Sequence, residues 1–258
     1  MTAQFIAGAS VTGLVAGGLL DPVGQRLAER SAHEQRRRDE AAGLSAAGSA
    51  RSAGSAGDQA QPPRLLPVGV SPVRTAGAAV VTGVLAAGGA NRFGAHLVLV
   101  PFIVFFGVLV VVSTTDLSHG LIPRRLVYPG LAIISGLLVV VAAVDGQWHR
   151  LATAGIGTVA AFGVLFVLWW LAPRGIGFGD VRLAALIGLA IGWIGLLDVY
   201  VALVAAFIVG LLGGVATIVL SGTGRQTRIP FAPALAAGAI VAVFWGAPIV
   251  QAVFHRPI

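Results

Sequence analysis

The sequence predicts an all-α, polytopic membrane protein of about eight transmembrane helices, with its N-terminus outside. Three observations predict it. The chain of 258 residues is 57% hydrophobic and only 10% charged, whereas a soluble domain carries about 25% charged residues. Its apolar residues gather into eight runs, most of them long enough to cross a bilayer. All 17 basic residues are arginine, and they crowd into alternate connections between the runs.

The first run covers about 3–20. No basic residue precedes it, and Arg26, Arg30, Arg36, Arg37 and Arg38 follow it. A secretory signal peptide has the opposite charge order, so the expectation is a retained helix over 1–20. Residues 21–74 are polar. Their Ala, Gly, Ser and Pro content over 41–63 cannot bury a core, which predicts a largely disordered cytoplasmic loop.

Seven further runs lie near 75–90, 97–115, 126–144, 151–172, 181–197, 199–220 and 229–254. They predict a seven-helix membrane domain over 75–258. The run at 75–90 is the shortest, and the break at 198 is a single aspartate. With the N-terminus outside, the inner connections are 21–74, 116–125, 173–180 and 221–228. Counting Arg74 and Arg182 at inner helix ends, fourteen arginines fall inside; Arg92, Arg150 and Arg256 fall outside. That asymmetry follows the positive-inside rule.

Composition also excludes. Without cysteine there is no disulfide framework and no thiolate metal site. Without lysine there is no Schiff-base or Ser–Lys chemistry. No cofactor or metal is expected. The pI near 11.5 would suit nucleic acid, but arginines at membrane borders face anionic lipid instead. No nucleic-acid partner is therefore expected.

The chemistry lies in the carboxylates. Six of the ten acidic residues lie at or before Asp58. Asp116 and Asp180 remain on the inner side, and Asp145 and Asp198 on the outer side as solvated loop residues. A carboxylate at a membrane helix centre costs roughly 2.5–3.5 kcal/mol on insertion scales, so the inner pair needs a reason. Two full charges about 4 Å apart repel by about 4 kcal/mol at an effective dielectric near 20. If they meet they share a proton. One then serves as general base for a water and the other as general acid for a leaving amine. Such a pair hydrolyses a peptide with no nucleophilic side chain.

The flanking residues fit that use. Gly177 and Gly179 flank Phe178 just before Asp180, and glycine lets a second chain come close. An extended peptide can be held at such an edge by strand addition. Pro230, Phe231 and Pro233 break the chain before the last helix. Irregular backbone at membrane depth is tolerated where it lines a cavity.

These patches resemble the type IV prepilin leader peptidases, aspartic membrane proteases with a Gly-x-Gly-Asp motif. Asp116-Leu117-Ser118-His119-Gly120-Leu121-Ile122-Pro123 is similar to the segment of the first catalytic aspartate. Gly177-Phe178-Gly179-Asp180-Val181-Arg182-Leu183 is similar to that of the second. Pro230-Phe231-Ala232-Pro233-Ala234-Leu235 is similar to a Pro-Phe-Gly-Pro patch. The resemblance spans about 97–250. It implies a bacterial inner-membrane endopeptidase that removes the leader from prepilin-like substrates, with Asp116 and Asp180 catalytic. It implies contact with substrate at Gly177, Phe178, Gly179, Pro230, Phe231 and Pro233, and a place in pilus, competence or secretion machinery.

Two positions and one missing module depart from the pattern. The four-cysteine module of bifunctional relatives is missing, so the expectation does not extend to N-methyltransferase activity. Arg124 stands where relatives often carry Asp or Asn, and Ala232 replaces a glycine. Two competing readings stay open on the residues alone. One is a transporter or ion pathway built on intramembrane aspartates. The other is an inactive homologue acting in assembly.

Overall fold

The computed structural model describes residues 72–94, 96–119, 122, 124–172, 176–221 and 230–254. The expected helix over 1–20 and nearly all of the expected loop over 21–74 lie outside these residues. Among the described residues there are seven helices and no strand. They are α1 (Pro72–Phe93), α2 (Leu99–His119), α3 (Arg124–Asp145), α4 (Trp148–Leu171), α5 (Phe178–Ile194), α6 (Leu196–Ser221) and α7 (Ala232–Phe254). Each corresponds to one of the seven apolar runs. Five of them (α2, α3, α4, α6 and α7) are long and apolar enough to cross a membrane. The protein is a multi-pass membrane protein.

The shortest helix is the centre. α5 has 17 residues and buries Val181, Leu183, Ala184, Leu186, Ile187, Ile191 and Trp193. A helix that is apolar all round belongs inside a bundle. α5 touches α2, α3, α4, α6 and α7. The periphery carries the opposite sign of burial. Val159, Trp170, Leu211 and Val219 are exposed, which suits hydrocarbon as the surrounding solvent.

Small residues bring the helices together. On α4, a Cβ added to Gly157 would lie 2.5 Å from the Gly188 carbonyl oxygen and 2.9 Å from the Gly192 Cα on α5. On α7, Gly238 faces the Ala202 carbonyl and the Ala206 amide of α6. Between helices in lipid, van der Waals packing takes over much of what the hydrophobic effect does in water. Both pairs run antiparallel, since Thr153 meets Gly192 while Ala161 meets Gly188, and Gly210 meets Ala234 while Ala202 meets Gly238. At the other side of α2, Phe102, Phe105 and Phe106 form a ring cluster that stacks onto Phe244 of α7, with the Phe106 and Phe244 centroids 6.0 Å apart.

Two expectations are corrected. The break between the sixth and seventh runs is Gly195, not Asp198. Asp198 is not a solvated loop residue either; it lies in the first turn of α6 and is 8% exposed. Its Oδ2 faces Gly195 and its Oδ1 faces Gly246 of α7, and neither glycine has room for a side chain there. An acid in the first turn of a helix complements the unpaired N–H groups and the dipole. The carboxylate therefore turns into the bundle rather than out of it. Asp145, at the end of α3, is exposed as expected.

Candidate active site

Asp116 and Asp180 lie at the same end of the bundle, and both are buried, at 6% and 7% exposed. The link between their segments is direct. Ile122, just after α2, packs on Gly179, just before Asp180. A Cβ on Gly179 would sit 2.9 Å from the Ile122 Cβ and 3.3 Å from its Cγ1 and Cδ1. Glycine is the residue that lets this side chain in.

Asp116 sits in the last turns of α2, which runs on to His119 rather than ending at 115. Thr114 and Thr115 donate their hydroxyls back to the carbonyls of Val111 and Val112, at 3.0 and 2.9 Å. The Asp116 carboxylate looks across the bundle. Its Oδ2 accepts the backbone N–H of Ala232 at 3.1 Å. Ala232 is the first residue of α7, so its N–H is one of those a helix leaves unpaired. The prolines around it now have a use. Pro230 lies before the helix, and Pro233 takes a first-turn position where a missing N–H costs nothing.

Asp180 sits in the first turn of α5. Its Oδ2 accepts the N–H of Gly177 at 3.1 Å, and its own N–H donates to the Gly177 carbonyl at 3.0 Å. Gly177 is extended, with φ −78° and ψ 145°. Both carboxylates are thus held at helix N-termini, Asp116 at that of α7 and Asp180 at that of α5. Positive ends of helix dipoles favour anions there.

The other expected residues divide. Phe178 and Gly179 are already helical, so the extended edge expected for strand addition shrinks to Gly177, whose N–H is taken by Asp180. Phe178 stacks edge-on against Trp169, with centroids 5.1 Å apart. Phe231 turns into the bundle onto Phe207, 5.7 Å away, and fills the space left by Gly210 of α6. Pro233 lines a cleft of about 400 Å³ with Gly77, Ala78, Ser113 and Thr114, between α1, α2 and α7. Among the described residues no group of three or more His, Cys, Asp or Glu side chains could hold a metal ion.

Sequence reasoning missed the Ala232 amide, because a backbone donor leaves no mark on residue identity. It also missed the stack of Arg182 on Phe178 and Tyr128. There the spacing of 178 and 182, one helical turn, was a readable signal.

Fold and site together define a helical multi-pass membrane protein with two buried carboxylates at one end, each on a helix N-terminus. Comparison with known proteins gives the family. Residues 103–218 match the type IV leader peptidase family. The prepilin leader peptidase/N-methyltransferase of Bacillus subtilis (strain 168) is 33% identical over 178 residues, covering 67% of this chain and 67% of the relative. The proteins of that name from Xanthomonas campestris pv. campestris and Burkholderia pseudomallei (strain 1026b) are 30% and 32% identical. The alignments cover 67% and 66% of this chain but only 59% and 54% of those relatives. No solved structure matches. The chain belongs to the type IV leader peptidase family.

Proposed function

We propose that this protein is an aspartic endopeptidase of the bacterial inner membrane that cleaves the leader from prepilin-like substrates at the cytoplasmic face. Asp116 and Asp180 act as a pair. One carboxylate takes a proton from a water, whose oxygen attacks the scissile carbonyl carbon. The other gives a proton to the amide nitrogen as the C–N bond breaks. The carboxyl and amine products leave, and the proton count on the pair is restored.

The single observation that carries this reading is the contact of Ile122 with Gly179, which joins the two aspartate segments at one end of the bundle. The helix N-termini add to it. A backbone N–H on one oxygen of each carboxylate holds that group in place, so the reaction starts from positioned acids. Gly177, Phe178, Gly179, Pro230, Phe231 and Pro233 lie next in sequence to Asp180 or to the Ala232 amide that binds Asp116, and they are the proposed substrate contacts. The family's relatives supply the substrate class, and anionic lipid is the proposed surrounding partner.

The test is cleavage of a prepilin-like substrate in membranes by Asp116→Asn and Asp180→Asn. Each variant should lose about 100-fold or more of the cleavage rate. Unchanged cleavage by both, at normal protein levels, refutes the mechanism.

A further inference from the structure

A second cleft, of about 340 Å³, opens between α3, α4 and α5. Its walls are apolar along Leu131, Val159, Phe162 and Ala185. One end is different. There the Arg182 guanidinium lies 4.5 Å from the Phe178 ring centroid and 5.5 Å from that of Tyr128. Its Nε is buried and has no hydrogen-bond partner among the described residues. The Tyr128 hydroxyl also interacts favourably with the guanidinium, and the positive charge of Arg124 opposes it. Among the described residues no carboxylate lines the cleft.

A half-buried guanidinium between two aromatic faces is oriented by cation–π contact, but those faces do not neutralise it. Its fork of donors matches a phosphate. The second arginine adds to the attraction for an anion and repels a cation. Yet a free anion would leave the rest of the cleft empty. The apolar walls call for hydrocarbon, so the occupant is an amphiphile with an anionic head. Charge decides against a basic peptide, which the two arginines would repel, whereas an anionic phospholipid brings a phosphate together with its hydrocarbon.

We propose that this cleft seats one anionic phospholipid, its phosphodiester on Arg182 and one acyl chain along Leu131, Val159 and Ala185. Arg182 lies two residues after Asp180 and Phe178 two before it, so the lipid would brace the N-terminus of α5. Lipid binding is measured without any substrate, so this proposal stands or falls separately from the peptidase reading.

The experiment is native mass spectrometry of the whole chain, released from micelles holding phosphatidylglycerol and phosphatidylcholine of equal chain length. The first bound lipid should be phosphatidylglycerol, preferred by about tenfold, the scale of one charge-assisted contact. Arg182→Gln should abolish the preference and Arg182→Lys should keep most of it. Val159→Trp, at an exposed wall position, should lower the occupancy of both lipids, and it decides the matter if Arg182→Gln does not fold. An undiminished preference in folded Arg182→Gln overturns the proposal. So does undiminished occupancy in Val159→Trp, or displacement of the lipid by millimolar inorganic phosphate. In a separate run with a prepilin-like peptide added, loss of bound peptide rather than lipid in Val159→Trp would assign the cleft to a protein segment and overturn it as well.

Discussion

The backbone N–H of Ala232 donates to Asp116 Oδ2 at 3.1 Å, across 116 positions of sequence. This bond ties the last helix to the end of α2 and gives a buried carboxylate a fixed donor. It also explains why the chain breaks at Pro230 and resumes as a helix at Ala232. The first amide of that helix has to point at the acid.

Removing that amide tests its worth. Ala232→Pro deletes the N–H at a position where a helix tolerates proline. A hydrogen bond to a charged group contributes about 1.5–3 kcal/mol, so cleavage should fall by roughly 10- to 100-fold. Ala232→Gly keeps the N–H and should cleave at close to the normal rate. Equal rates for the two variants in a substrate-processing assay would show that the bond does not matter to the reaction.

Gly179 should accept no side chain. In Gly179→Ala the new Cβ would fall 2.9 Å from the Ile122 Cβ, closer than carbon atoms pack. The loop after α2 must shift, carrying Asp116 with it, and cleavage should drop by about tenfold or more. Ile122→Gly in the same chain removes the colliding atoms and should recover part of the loss. Recovery of activity in the double variant is the decisive reading.

On α4, two glycines two positions apart should behave in opposite ways. Gly157 faces the backbone of α5, whereas nothing lies within 4 Å of a Cβ on Gly155. Gly157→Val should separate the α4–α5 pair and lower thermal stability in detergent by several degrees, the effect of roughly 1–3 kcal/mol of overpacking. Gly155→Ala should be neutral or stabilising, by up to about 1 kcal/mol, since alanine favours the helix.

Asp198 should matter to stability and not to the chemistry. It is buried at the opposite end of the bundle from Asp116 and Asp180, with Oδ1 against Gly246. Gly246→Ala should therefore lower the unfolding temperature, and adding Asp198→Ser should restore much of it. Cleavage per folded molecule should be unchanged in both. A thermal unfolding series with matched activity measurements checks this, and the two effects should be clearly non-additive.

Helix boundaries show where hydropathy reads well and where it does not. The run at 126–144 became Arg124–Asp145, and that at 199–220 became Leu196–Ser221. The misplaced break came from Asp198. Hydropathy treats any carboxylate as an interruption, yet this one completes a helix N-terminus and stays inside. Asp116 was read as the start of a connection for the same reason, while α2 continues through it to His119. A polar residue ends an apolar run in the sequence; it ends a helix only when the backbone leaves the helical path.

The sequence by itself determined that this chain is helical and lives in a membrane. It also determined which acids are available to the family's chemistry, because few carboxylates survive within its apolar runs. Tertiary structure alone decided what those acids touch. Which glycine admits Ile122, which amide meets Asp116 and which rings hold Arg182 depend on how antiparallel helices settle against one another. That settling is governed by close contacts between residues far apart in the chain, which no local pattern records.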